Sequence, residues 1–483
     1  MMRPAFRLAA MLPGLSLLLA GCASVPHTQP RLAPLAAASV GLGETAGMAV
    51  RPDWWTTLGD PQLDALMAEA LAANPGLEAA LARLRAAEAE IAVERAGLLP
   101  RASADASEQI QRFSDKSYIP PPFGGSVRSI GEIRSDLAWT LDFGGRQKAL
   151  IDRARSSADA AALDVAAGRL TLAASIAQTY IGIARADAQI AIARDFVASR
   201  EQSLRLVRAR IANRLASDFE ARAAETLLAQ ARQAEVRARG DRALTVHALA
   251  ALVGRGADFY AAVTPPTLRL DTALPMPEAL PSDLLGRRPD ILAARARIDA
   301  ARAGRRIAAA AFMPNVDLRA FVGLSAIGLG SLFSGSALTY GAGPAVHLPL
   351  FEGGRLRADY AAATAQADVA IADYNETVLR AVREAADGLA AIDTARADAA
   401  EQRSIVAGLQ DVLRLDHIRV ASGLASQLDI LASGDRLLAA RQAAIDIDAE
   451  GARRRVQLLV ALGGGFSAPA ETSPIAPVTQ ARP

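Results

Sequence analysis

A chain of 483 residues could hold two or three domains, and its 53 basic and 51 acidic side chains leave a formal charge of +2. That balance leaves no basic footprint for a nucleic-acid partner. A single cysteine, Cys22, excludes an intrachain disulfide, and the four histidines, at positions 27, 247, 347 and 417, lack metal-ligand spacing.

Residues 1–21 read as a signal peptide. Arg3 and Arg7 supply a positive start, and Leu8 to Ala20 supply an apolar stretch too short to span a bilayer as a helix. Leu19-Ala20-Gly21-Cys22 resembles the bacterial lipobox, which would leave Cys22 as the acylated first residue of the mature chain. Several acyl chains, at about 0.8 kcal/mol per buried CH₂, make a durable anchor. Ala23 stands where an aspartate usually signals inner-membrane retention, so the resemblance favours the outer membrane. An ordinary leader with a chance cysteine is the alternative. Residues 22–59, Pro- and Ala-rich as far as Pro52 with little periodicity, read as an N-terminal linker, lipidated if Cys22 is acylated. No uninterrupted apolar run of eighteen residues follows the leader, so no transmembrane helix is expected and any crossing must use strands.

The first structured region spans 60–254. Asp60-Pro61 and Asn74-Pro75 each place a capping side chain before a proline at the first helical position. Two alternating segments follow, predicted as strands at 101–110 and 132–142. In the first, Ala102, Ala104 and Ala106 alternate with Ser103, Asp105 and Ser107. In the second, Ile133, Leu137, Trp139 and Leu141 alternate with Arg134, Asp136, Ala138 and Thr140. The Pro-, Gly- and Ser-containing stretch from Gln111 to Gly131 is expected to be a loop. A helical hairpin over 147–253 comes next. Its first arm, Gln147 to Ala212, contains no proline and would extend about 100 Å, far beyond the usual globular helix of about 11–12 residues. The turn Asn213 to Ser217 leads into Ser217-x-x-Glu220, a capping-box pattern.

Residues 255–287, with Pro265, Pro266, Pro275, Pro277 and Pro281, read as a second linker that joins the two halves. The region 288–462 then repeats the order: a helix, strands predicted at 315–324 and 339–350, and a hairpin over 353–462. Its turn runs Ser422 to Ser426, followed by Ser426-x-x-Asp429. The tail 463–483 is Gly- and Pro-rich and is expected to be disordered at its end.

The two regions are one unit written twice. Pro75 and Pro289 are 214 residues apart, as are Pro100 and Pro314. Gly145-Arg146 and Gly354-Arg355 are 209 apart, as are Ala216-Ser217 and Ala425-Ser426. One slip of five residues therefore falls between Pro100 and Gly145, where a surface loop tolerates it. The strand lengths suit a tilted membrane strand of roughly 9–11 residues, although a soluble hairpin shows the same alternation. Four strands cannot close a barrel, since membrane barrels start at about 8. Three chains sharing one barrel would supply twelve strands. The long Ala-rich helices suit a closely packed coiled-coil wall.

These residues resemble the TolC-like outer membrane factor family, and more closely its OprM/NodT-type efflux lipoproteins, over nearly the whole mature chain. Trp54-Trp55 with Leu58-Gly59-Asp60-Pro61-Gln62-Leu63 resembles the opening motif, and Arg288-Pro289-Asp290 the "RPD" motif. Leu141-Asp142-Phe143-Gly144-Gly145-Arg146 and Leu350-Phe351-Glu352-Gly353-Gly354-Arg355 resemble the strand-to-helix junctions, and Ala461-Leu462-Gly463-Gly464-Gly465 the closing motif. The resemblance implies a mainly α fold with a small β part. A long α-helical barrel, belted by the chain termini and the middle linker (22–59 and 255–287 among them), would join a transmembrane β-barrel completed by trimerisation, in a homotrimer that does no chemistry and needs no cofactor. Its surroundings would be outer-membrane lipid, a periplasmic adaptor and an inner-membrane pump, most often proton-driven. In the family, acidic residues near the helix turns ring a narrow periplasmic end; the matching positions are Glu220 and Asp429, which also fit plain helix capping. The expected adaptor-docking tips are Asn213, Arg214, Leu215, Ala216 and Ser217, with Ser422, Gly423, Leu424, Ala425 and Ser426. Ala432 stands where many relatives carry a second acid, and Arg214 stands opposite the turn glycine Gly423. The rival readings are an enzyme, for which no nucleophile motif or phosphate loop appears, and a periplasmic coiled-coil structural or adaptor lipoprotein. An adaptor would flank one hairpin with lipoyl-like and small barrel segments, whereas this chain carries two hairpins.

Overall fold

A computed structural model describes residues 25–42, 50–116, 118–270 and 284–467. The leader and Cys22 lie outside the described residues, as do 271–283 of the middle linker and the tail from 468. The chain divides into two compact units, each assembled from separate stretches of sequence. One comprises 1–34, 83–161 and 294–374; the other comprises 35–82, 162–293 and 375–483.

The first unit holds the sheet. Strands β1 (Arg101–Arg112), β2 (Val127–Leu141), β3 (Asn315–Ile327) and β4 (Leu338–His347) run antiparallel in the order β1-β2-β3-β4. The two hairpins therefore meet at β2 and β3, where Ile133 pairs with Leu324 and Trp139 with Leu318. Pairing sorts the side chains by face. Odd positions of β2 share a face with even positions of β1, β3 and β4. That face carries Ile133, Leu137, Trp139, Leu318, Val322, Leu338 and Tyr340, all between 38% and 76% exposed. The opposite face carries Arg134 paired with Asp136 at 2.8 Å, Arg319 paired with Asp317 at 3.5 Å, and the Arg134 guanidinium over the Phe321 ring at 4.1 Å.

Several strand boundaries differ from expectation. Arg112 pairs with Val127, so the first loop is 113–126 and not 111–131. The end of β1, Ser-Glu-Gln-Ile-Gln-Arg, carries polar residues on both faces, so its alternation fades before its pairing does. The third strand continues past 324 to Ile327 because Ile130, Gly131 and Glu132 of β2 extend far enough to pair with it. The fourth ends at His347 instead of 350, just before Leu348-Pro349, where proline lacks the ladder donor. The five-residue slip is shared between strand and loop: β2 has 15 residues and β4 has 10.

In chain order, helices precede and follow each hairpin of the sheet. Helix α2 (Pro75–Ala96) follows α1 (Pro61–Ala73) and leads to Leu98, whose carbonyl accepts the Trp139 indole N–H at 2.8 Å. Beyond β2, the Asp142 carboxylate accepts the Gln147 and Lys148 N–H groups, both at 2.9 Å, and so caps α3 (Arg146–Ala212). Helix α4 (Asp218–Val253) completes the first hairpin. In the second half, α5 (Pro289–Ala310) precedes β3, and α6 (Arg355–Ala421) and α7 (Gln427–Ala461) follow β4. The segment before Pro34 is strapped down: Arg305 of α5 donates to the Thr28 carbonyl and to Gln29 Oε1, and Leu32 N–H donates to Asp368 of α6 at 2.9 Å.

The second unit is built on a conventional core. Trp54, Leu63 and Met67 pack with Ile176, Tyr180 and Ile183 of α3, Leu249 and Val253 of α4, and Val456 of α7. This core also bears on the one apolar window of α3. One window of α3 is long and apolar enough to cross a membrane by composition. Within α3, Ile176, Ala177, Tyr180, Ile181 and Ile183 are wholly buried in this core, which gives the apolar residues of one helix face a packing role.

Two motifs lock the unit. Asp60, 2% exposed, accepts Gln62 N–H at 3.0 Å as the cap of α1, and also accepts Thr267 N–H at 2.7 Å and Leu268 N–H at 3.2 Å from the middle linker. Gln62 donates to the Tyr180 hydroxyl at 2.7 Å and accepts Thr264 N–H at 2.9 Å. Arg288, 8% exposed, pairs with Asp290 at 2.8 Å and Glu384 at 2.9 Å while donating to the Ala461 carbonyl at 3.1 Å. The last turn of α7 is thereby tied to the start of α5. Gly463 follows with a φ of +95°, and a Cβ there would collide with the Arg287 carbonyl.

Burial opposes ionisation of Asp60, but the Thr267 N–H, the Tyr180 and Thr267 hydroxyls and the Gln62 N–H outweigh it and hold the carboxyl below its ordinary range. Its contribution is therefore present above the unfolded value of about 3.9 and is lost as pH falls through the lower folded value. Asp60→Ala should cost about 2–3 kcal/mol at neutral pH by stranding the linker N–H groups. Thermal melts in detergent should show a lowered Tm and a smaller loss of stability between pH 5 and 3 than in the parent; an unchanged Tm would refute the clamp.

Candidate functional site

The helix turns are built from short-range rules. Each hairpin ends its long arm with a reversed bond, Leu215 N–H to the Arg210 carbonyl and Leu424 N–H to the Arg419 carbonyl, both at 2.8 Å. This C-terminal motif requires a left-handed residue just before the leucine. Gly423 takes that place with φ +71°, and Arg214 takes it with φ +59°. For a residue with a side chain the left-handed conformation costs roughly 1–2 kcal/mol. Asn213 supports the strained turn by donating its side-chain amide to the Ala209 carbonyl at 2.8 Å.

The second arms start from reciprocal caps. Ser217 N–H donates to the Glu220 carboxylate at 2.7 Å, and Ser426 N–H donates to the Asp429 carboxylate at 2.7 Å. The Ser426 N–H, then its hydroxyl, hold the Asp429 carboxyl below its ordinary range. Within one chain each acid thus belongs to its own turn and already does a capping job. Around them the tips are apolar: Leu215 is 68% exposed, Leu424 74% and Phe219 72%. Ser422, Ala216 and Ala425 complete the two turns with small side chains.

Behind the turns lie residues that sequence reasoning missed. Leu204, Val207, Ala224 and Leu228 form a small core that joins α3 to α4. Arg200, 3% exposed, lies over the Phe196 ring, pairs with Asp435 and donates to the Leu431 carbonyl at 3.1 Å, tying α3 to α7. Asp416, also buried, accepts the Ser433 hydroxyl and pairs with Arg419 at 3.2 Å. One arginine among many on an Ala-rich helix carries no local mark of burial, so no sequence signal distinguishes Arg200.

A second feature sits on the polar face of the sheet. A cavity of 850 Å³ is lined by Arg134, Asp136, Asp317, Arg319, His347 and Glu352 among others. Both signs of charge meet there. Among the described residues no group of His, Cys, Asp and Glu could hold a metal ion.

A sheet with one charged face and one exposed apolar face, joined to paired helices of 67 residues, defines a membrane-embedded channel component. The chain belongs to the family of outer membrane efflux proteins, which it matches over residues 66–255 and 280–464. It is 32% identical to outer membrane protein OprJ of Pseudomonas aeruginosa over 96% of this chain and 97% of that one. It is 35% identical to fusaric acid resistance protein FusA of Burkholderia cepacia over 74% of this chain and 69% of that one. Among solved structures, the outer membrane protein VceC of Vibrio cholerae superposes with a TM-score of 0.79 at 31% identity, covering 86% of this chain and all of that one.

The two turns invite a paired substitution. Gly423→Ala should destabilise its tip by about 1 kcal/mol, because alanine meets the left-handed penalty there. Arg214→Gly should leave its tip unchanged or slightly firmer. Hydrogen exchange at Leu424 and Leu215 reads the two tips separately; unchanged exchange at Leu424 in Gly423→Ala would sink the left-handed argument.

Proposed function

We propose that this outer-membrane efflux subunit works as one third of a passive duct, with twelve strands from three chains closing a single barrel. The observation that carries the reading is the sheet: an exposed apolar face, and two edge strands, β1 and β4, with no partner beyond them among the described residues. Hydrocarbon offers no hydrogen bonds to an open edge, so the edges must pair with other copies. The charged face, with Arg134, Asp136, Asp317 and Arg319, then lines the water-filled interior.

The helical hairpins wall the periplasmic part of the duct. Their turns, with exposed Leu215 and Leu424, suit an apolar contact with a periplasmic adaptor, which in turn couples to an inner-membrane pump, proton-driven in the commonest arrangement. Glu220 and Asp429 cap their helices in each chain. In a trimer they contribute six carboxylates, which would favour cations at a constriction. Cys22, in its lipobox-like context, carries the acyl anchor. Cargo choice falls to the pump.

Purified protein in planar bilayers should give discrete conductance steps; a preparation that never conducts would overturn the duct. Replacing the two acids, Glu220→Gln with Asp429→Asn, should lower cation preference, and an unaltered pore would leave them as caps alone. Peptide mass analysis of the same preparation should find an acylated N-terminal peptide beginning at Cys22; an unmodified cysteine would refute the anchor.

A further inference from the structure

The β3–β4 connection differs in kind from the β1–β2 connection. From Ala320 to Val346 the chain contains no Asp, Glu, Lys or Arg, so the loop 328–337 is uncharged. The loop 113–126 carries Asp115 and Lys116, and Asp115 pairs with Arg112 at 3.3 Å. The uncharged loop is nonetheless well built. Two short 3₁₀ turns, Leu329–Ser331 and Gly335–Ala337, shape it. Several of its polar groups are met within the protein: Gly328 N–H donates to the Ser129 carbonyl of β2 at 2.7 Å, the Ser331 hydroxyl to the Gly328 carbonyl at 2.8 Å, and the Ser334 hydroxyl to the Ser331 carbonyl at 2.7 Å.

The loop also has a definite side. Gly131 of β2 is an odd position in an uninterrupted ladder, so the direction of its missing Cβ is that of Ile133 and Leu137. A Cβ there would meet the Leu332 side chain at 3.0 Å and the Leu329 side chain at 3.3 Å. The loop therefore folds onto the apolar face of the sheet and not across the charged one. Leu332 is buried by this contact at 4% exposure, whereas Leu329 and Phe333 stay 47% and 78% exposed.

We propose that the β3–β4 loop is a lipid-interface element, which seats Leu329 and Phe333 in the headgroup boundary of the outer leaflet and fixes the exit rim of the barrel at that depth. The inference rests on the barrel reading above, because the lipid it meets is the lipid that covers the strand face. Three physical features favour this occupant. The loop continues the apolar face without a break, it carries no charge to desolvate, and several of its polar groups are bonded within the protein. Serines at 331, 334 and 336 keep a polar border beside the two exposed apolar side chains, as a boundary position needs.

Tryptophan fluorescence in vesicles of brominated phosphatidylcholine tests this on the full-length protein. Phe333→Trp and, as a strand control, Val322→Trp are each compared with the parent, so that the native tryptophans cancel. Phe333→Trp should add a blue-shifted emission that shallow bromines quench more than deep ones. If Val322→Trp is quenched while the Phe333→Trp increment is red-shifted and unquenched, the loop faces water and the inference falls with the barrel intact. If neither is quenched, the strand face does not meet lipid, and both readings fall.

Discussion

A backbone amide in hydrocarbon has no water to turn to, and this one constraint organises the molecule. Four antiparallel strands satisfy one another along three ladders, but β1 and β4 each leave one side of their backbone unpaired. Water would tolerate those edges; the exposed apolar face, rich in Ile133, Leu137, Leu318 and Val322, would not be tolerated by water. On the proposed reading, the same sheet meets lipid on one face and further copies of the chain at both edges.

The helices answer a different problem. Alanine buries little area per residue, so a wall built from it needs length and precise neighbours. The second unit supplies the fixed points. Asp60 gathers the start of α1 and the middle linker, and Arg288 gathers the start of α5, Glu384 of α6 and the end of α7. Both are buried charged groups: N–H and hydroxyl donors hold Asp60, and two carboxylates hold Arg288, so removing those partners would leave a buried charge uncompensated. The duplication makes this economical, but the halves are not copies in detail. The longer β1–β2 hairpin carries a charged loop, and the β3–β4 hairpin carries an uncharged one. At the tips, Gly423 sits at ease in a conformation that Arg214 must hold against steric cost.

Much of this was legible in the residues because local rules are short. Ser217-x-x-Glu220 and Ser426-x-x-Asp429 announce their caps within four residues, and both caps form. The alternation of β3 is strong because one face must be greasy, and its pairing follows. Legibility fades where partners are distant. Asp60 could be read as a cap, but not as the acceptor for Thr267 and Leu268, which lie some two hundred positions on. Arg288 was visible as a motif, yet its hold on Ala461 has no local signature. The end of β1 was misplaced because polar residues on both faces erase the period that pairing preserves. Arg200 was missed because burial of one arginine is decided by the neighbouring helix.

The central claim is that the chain's own sheet is one third of a closed barrel. Native mass spectrometry of the protein released from detergent counts chains directly. The account predicts a particle of three chains. A population of single chains or dimers, with no trimer under conditions where the strands remain folded, would contradict it.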